Sequence, residues 1–360
     1  MADKKTILAI IVVVVVIAAA AVILMQGNGS NQPAPDPDDK PTKEKYTFTD
    51  ANSITHTVDV PIENVSVVHK YIPIFMKILG KEDSVAGLDS KYGARFAEYF
   101  PNHYFIGSYS APEGETMVSR GSNVILTPVT MGLSNADALR QLGIEVIYLD
   151  LTDPYEIESN LLILAKLLGG TDDVMKKYDT YMSYFNECFD FVKDLKTDAD
   201  SEDVFGLFMA SSGFYQTHAS SAVKVIESVA GRCYTNIIDP STTDTVYFNQ
   251  SKDILLDVDN KYGLDYMFIY SNDTPKENFD AFFSYAGTLD YSKLTCVKEG
   301  HLFALSTDTV NGAMSCISAI LYADAFGADV GDKAVQMLNK MNSEFGLKYS
   351  TEDLLVAYSA

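Results

Sequence analysis

The residue types that usually carry chemistry are present in this chain, but their spacing does not assemble them. Five histidines occur, His56, His69, His103, His218 and His301, and no two stand four apart as metal ligands on one helix face would. A metal centre would have to gather distant groups, such as His69, His103, His218 and Asp308. Cys188, Cys233, Cys296 and Cys316 form no Cys-x-x-Cys and are too scattered for a disulfide framework. Cys188 and Cys316 fall in apolar helical patterns and read as buried thiols; one disulfide stays open, with Cys233 and Cys296 uncommitted. Ser211-Ser212-Gly213 has no committed base nearby in sequence, and Asp172-Asp173 reads as the acidic start of a helix. No nucleophile elbow, phosphate-binding glycine loop or dinucleotide fingerprint occurs. Asn28, Asn64, Asn249 and Asn272 lie in Asn-x-Ser/Thr triplets, a short motif with many chance matches. The inventory argues for binding over catalysis. A secreted enzyme and a surface adhesin are the rival readings, and the adhesin would have no cleft.

The segments that must position these groups begin with an unbroken apolar run of 20 residues, 6–25, behind Lys4 and Lys5. At 1.5 Å per residue such a run covers the roughly 30 Å hydrocarbon core of a bilayer. The lysines favour a cytoplasmic N-terminus. Residues 22–25 continue the run past the small residues 18–21, so it is longer than the apolar stretch of a secretory signal. A retained anchor is therefore favoured over a cleaved signal, with the rest of the chain outside the cytoplasm. The next stretch is rich in Gly, Asn, Asp, Lys and Pro, including Pro33, Pro35, Pro37 and Pro41, and reads as a semi-extended tether. The expected division is 1–25 anchor or signal, 26–45 tether, 46–153 first α/β lobe, 154–197 interlobe helical segment and 198–360 second α/β lobe. A net charge of −22 argues against nucleic acid or an anionic membrane surface as partner.

Residues 46–360 alternate strand and helix signals. In the first half, β-branched or apolar runs at 65–68, 85–88, 104–106, 123–126 and 145–149 are separated by helical stretches at 73–79, 94–99, 115–120 and 135–142. In the second half the strand signals are 204–209, 266–270 and 302–305, with helices at 222–230, 251–258, 278–284, 314–326 and 333–345. Such alternation implies largely parallel sheets covered by helices. Between the halves a helix over 161–168 stops at Gly169-Gly170. Val174, Tyr178, Tyr181, Phe185, Cys188, Val192 and Leu195 then recur at steps of four and three. That stripe predicts one helix of about 23 residues, roughly 35 Å long. The fold class is thus α/β, two βα lobes with mainly parallel sheets joined by one long helix, preceded by a transmembrane helix.

Local sequence adds a resemblance. The opening 46–61, the pairing of Ile78-Leu79-Gly80 with Ser84-Val85-Ala86-Gly87, and Ile106-Gly107 with Glu115 and Asn123-Val124-Ile125 are similar to segments of solute-binding proteins of ABC importers for ferric siderophores, haem and cobalamin. So, in order, are Leu142-Gly143 into 144–149, Leu164 to Gly169, Ser251 to Leu255 with 264–269, and Leu294 with 297–303. The chain departs from the family in having Ser122-Asn123 for its usual Pro-Asp and in lacking tryptophan.

The resemblance implies ligand capture between the lobes, at loops that follow the sheet strands, as general for open α/β sheets. On this chain it implies His69, Lys70, Tyr71, Tyr92, Arg95 and Tyr109 on the first lobe and Tyr215, His218 and Tyr247 on the second. Tyrosines offer flat apolar area with a hydroxyl, and Lys70 and Arg95 would complement an anionic chelate. It also implies docking of Glu115 and Asp253 to arginines of an ABC permease. A ferric siderophore is the expected load, with a corrinoid or haem as alternatives. No cofactor is expected beyond iron or cobalt carried by the ligand, and the protein is expected to act as a monomer.

Overall fold

The computed structural model describes residues 43–130, 132–210, 213–217, 219–238, 247–249, 253–271 and 274–359, with residues 214, 247–249 and 353 described as backbone alone. The apolar run and nearly all of the tether lie outside this set. Among the described residues no helix is long and apolar enough to cross a membrane.

An antiparallel hairpin opens the body, β1 (Glu44–Thr49) with β2 (Thr55–Val60). Asp50 closes its turn. Its Oδ1 accepts from the Asn52 and Ile54 amides, both at 2.9 Å, and its Oδ2 accepts from the Tyr148 amide at 3.1 Å and faces His56 Nε2 at 2.9 Å. One buried carboxylate thus shapes the turn and ties the hairpin to the first sheet.

That sheet comprises β3 (Val65–Val67), β4 (Val85–Leu88), β5 (Tyr104–Phe105), β6 (Val124–Pro128) and β7 (Glu145–Leu149). It is parallel throughout in the order β5-β4-β3-β6-β7. The second sheet has β8 (Val204–Met209), β9 (Phe214–Gln216), β10 (Arg232–Cys233), β11 (Tyr247–Asn249), β12 (Tyr266–Tyr270), β13 (Leu302–Ala304) and β14 (Val356–Ala357). Its order is β11-β9-β8-β12-β13-β14, with β10 also on β8. The β10-β8-β12-β13 centre is parallel and the β9, β11 and β14 margins are antiparallel.

Strand periodicity sorts the side chains into cores. Along β7, Ile147 and Leu149 point into an inner core while Val146 and Tyr148 face an outer one. Along β12, Tyr266, Phe268 and Tyr270 join the same inner core while Met267 and Ile269 face a different outer one. The inner core is therefore shared by both sheets. The helix Asp172–Val192 runs through it, burying Val174, Tyr178, Tyr181, Met182, Phe185, Cys188 and Val192. Full burial of each large apolar side chain contributes about 1.5–3 kcal/mol, so this stripe is a principal tie between the halves. The C-terminal helix Gly331–Phe345 adds to it: Phe345 packs on Tyr181 and Tyr184, and Lys333 and Lys340 both pair with Glu187 at 2.8 Å.

The strands expected at 145–149, 204–209 and 266–270 form with those bounds. The helix expected to begin at 278 begins at Pro275, because Thr274 and Glu277 form a reciprocal capping box that the apolar periodicity does not register. The turn expected as helix over 94–99 is a 3-10 helix, Gly93–Tyr99. All four cysteines are buried free thiols.

Candidate functional site

Four loops that leave the C-terminal ends of β3, β4, β5 and β13 converge. The first carries His69, Lys70 and Tyr71, the last two opening the helix Tyr71–Ile78. His69 takes a left-handed backbone, φ +69°, which a non-glycine residue holds only when its surroundings enforce it. The enforcing group is Asp89, fully buried at the end of β4. Its carboxylate accepts four backbone amides, from His69 at 2.8 Å, Lys91 at 3.0 Å, Tyr92 at 2.7 Å and Gly93 at 3.0 Å. One side chain thereby shapes two loops at once.

The result is an aromatic cluster around His69. Its ring centroid lies 4.9 Å from Tyr71, 4.5 Å from Tyr92 and 6.2 Å from Tyr109, and Tyr92 meets Tyr109 edge-on at 5.1 Å. Exposed Lys91 stands over both tyrosines, 4.7 Å from Tyr92 and 5.6 Å from Tyr109. Burial, and then the neighbouring Lys70, lower the His69 pKa to about 3, so the imidazole is neutral. Its Nδ1 is buried with no hydrogen-bond partner among the described residues.

Beside this cluster two cations of the first half meet one carboxylate of the second. Asp308 lies in the short helix Thr307–Val310 after β13, where the Ser306 hydroxyl accepts its amide. Lys70 Nζ is 2.5 Å from Asp308 Oδ1 and also donates to the Thr307 hydroxyl; Arg95 Nη2 is 2.9 Å from Asp308 Oδ2. Lys70 and Asp308 are buried, Arg95 partly exposed. Burial alone would raise the Asp308 carboxyl, but Lys70 and then Arg95 hold it below the ordinary carboxylate range. Burial, and then Asp308, push the Tyr71 phenol up, against an opposing hydrogen bond to Asn311. Tyr71 closes on Gly312, where φ is +75° and a Cβ would stand 2.5 Å from the ring.

The six first-lobe residues expected from the sequence thus lie together in this cluster and ion pair. Tyr215 lies elsewhere: it is fully buried in the outer core of the second sheet, 4.7 Å from Phe208 and 5.3 Å from Tyr234 by ring centroids. Tyr247 pairs with Gln216 through the backbone of β11, and its side chain and all of His218 lie outside the described residues. Glu115 is exposed in the first turn of the helix Gly114–Ser119, and Asp253 is exposed at the N-cap of Ile254–Tyr262. Among the described residues no three His, Cys, Asp or Glu side chains are placed to share a metal ion. The sequence reading did not give Asp89 its loop-shaping role, and it offered Asp308 as a metal ligand and not as the partner of Lys70 and Arg95. An Asp-x-x-x-Gly after an apolar strand is a turn signal that could have marked Asp89; nothing local marks Asp308.

No protein-family model matches the chain, and no curated protein sequence does. Solved structures do match in fold. The TroA-like periplasmic binding protein FepB of Veillonella parvula superimposes with a TM-score of 0.64 at 14% identity, covering 87% of this chain and 99% of that one. The fold is that of the TroA-like periplasmic binding proteins. A periplasmic haem-binding protein of Pseudomonas aeruginosa matches at TM-score 0.57 and 15% identity, over 82% of this chain and 98% of that one. FeuA of Bacillus subtilis, a triscatecholate siderophore-binding protein complexed with ferri-bacillibactin, matches at 0.59 and 15%, over 82% and 99%. These three are solute-binding proteins, not enzymes.

Proposed function

We propose that this protein is an extracytoplasmic receptor of an ABC importer that captures a ferric siderophore-type complex between its lobes. The observation that carries the reading is the convergence of His69, Lys70, Tyr71, Tyr92, Arg95 and Tyr109 at the strand ends of a TroA-like fold. Flat aromatic faces with the buried Lys70 and the partly exposed Arg95 suit a large, anionic, partly aromatic chelate. In this reading 1–25 anchors the protein, 26–45 is its tether, and exposed Glu115 and Asp253 engage the permease. His218 and Tyr247 would face the ligand from the second lobe. The linker helix and its shared core favour a small closure. Haem is the second reading, favoured by the neutral His69 among tyrosines and by haem-binding proteins of the same fold.

A thermal-shift panel on the full chain in detergent tests it, with ferric triscatecholates, ferric hydroxamates, haem, cobalamin and divalent metals. Ligand at 100 times its Kd should stabilise the fold by about 2.7 kcal/mol. A shift with one ferric chelate is expected. A shift with haem alone moves the cargo to the second reading, and no shift with any chelate or macrocycle refutes the receptor.

A further inference from the structure

We propose that Lys91 and the ring faces of Tyr92 and Tyr109 form an entry subsite, where an anionic aromatic group of the load lands before the buried Lys70–Asp308 contact opens. The inference rests on the receptor reading and extends it from what is bound to where binding starts. Three observations carry it. The first is access. Lys70 and Asp308 are buried against each other, and the space beside them, bordered by Tyr71, Ile74 and Asn311, is about 10 Å³. That is room for one water at most, so no chelate starts there. Lys91 is exposed, and Tyr92 and Tyr109 are half-buried. The second is charge. Lys91 Nζ stands 4.7 Å from the centre of the Tyr92 ring and 5.6 Å from that of Tyr109, and among the described residues no carboxylate lies within ion-pair distance of it. Asp89, two residues before it, accepts four backbone amides, that of Lys91 among them. The chain carries a net charge of −22, so an approaching anion is repelled except near such a cation. The third is an unmet hydrogen bond. His69, packed on Tyr92, is 3% exposed, and no described residue partners its Nδ1. A core closed for its own sake satisfies its buried polar atoms.

An anionic aromatic ring matches this patch twice. Its flat face takes the place of the ammonium against a tyrosine ring, and its anionic oxygen accepts from the displaced ammonium. Neither contact requires the loops after β3 and β13 to separate. Landing comes first and opening second, so Lys91 governs how fast the load associates. A charge at the rim of a site acts mainly on the association rate and on its salt dependence.

The test compares Lys91→Gln and Lys91→Arg with the unaltered full chain in detergent. Both variants keep the Lys91 amide that Asp89 accepts at 3.0 Å, because that bond is backbone. Stopped-flow quenching of tyrosine fluorescence by a ferric triscatecholate gives the association and dissociation rates at several salt concentrations, the chain having 22 tyrosines and no tryptophan. Lys91→Gln should slow association about five-fold at low salt and flatten its salt dependence, with dissociation changed by less than about two-fold. Lys91→Arg should restore both. Association that is unchanged in Lys91→Gln, or a loss of affinity carried by dissociation, overturns the entry subsite. Failure of the receptor reading looks different: no ferric chelate binds any form, the unaltered chain included. The subsite is then decided with a catechol carboxylate and its uncharged carboxamide, through the NMR signals of the lysine ε-methylenes. The Lys91 signal, assigned by its loss in Lys91→Gln, should move with the carboxylate and stay in place with the amide. No response to either probe, or an equal response to both, overturns the proposal.

Discussion

The two sheets bring opposite chemistry to the same group of strand-end loops. The first contributes loops whose polar and aromatic groups face outward from a purely parallel sheet, organised by one buried carboxylate, Asp89. The second turns Tyr215 into its own outer core and contributes, among its described residues at this point, chiefly the Asp308 turn. The contrast teaches that residue type is a poor guide to role. Tyr92 and Tyr215 are both tyrosines near strand ends; one is half-buried beside a lysine, and the other is sealed among aromatic rings.

Substitutions can break that contrast. The largest expected effect is Tyr215→Ala, which should cost about 3–5 kcal/mol by thermal or urea unfolding, as for a buried aromatic truncated in a core. A near-normal melt combined with lost ligand binding would return Tyr215 to the cleft. Asp89→Ala should cost about 3 kcal/mol or more, because four amides lose their acceptor and His69 loses what holds its φ at +69°. Asp89→Asn, which keeps one acceptor oxygen, should recover part of that loss.

An acid-side dependence should come from His69. Its folded pKa, about 3, lies below its unfolded value near 6.5, so as pH falls the unfolded chain takes up the proton first. Stability is therefore complete above about pH 6.5 and is lost progressively down to about pH 3, with about 2 kcal/mol gone between pH 7 and 5. His69→Asn, which tolerates the left-handed backbone, should remove that slope in paired melts at pH 7 and 5. An unchanged slope would mean that His69 is not buried as a neutral ring. The smallest effect should be at the exposed pair Lys348–Glu98, 2.6 Å apart, where Lys348→Gln should change stability by less than about 1 kcal/mol.

Much of this molecule could be read from local sequence. The linker helix follows from a stripe that repeats every three or four residues, because a helix buries one face and the pattern is written at that period. The central strands of both sheets follow from short apolar runs between turn signals, because a strand buried on both faces excludes polar groups. The loops after the first-lobe strands could be placed once the strands were, and the family resemblance then singled out the six residues of the cluster. What only the tertiary structure decided is which groups meet. Asp308 reaches Lys70 and Arg95 from 238 and 213 residues away (308 − 70 and 308 − 95), and a single long-range charge contact has no period and no neighbour in sequence to announce it. Tyr215 turned inward for the same reason: a short strand of three residues carries too little pattern to say which face is covered, and its burial was settled by Phe208 and Tyr234 packing onto it.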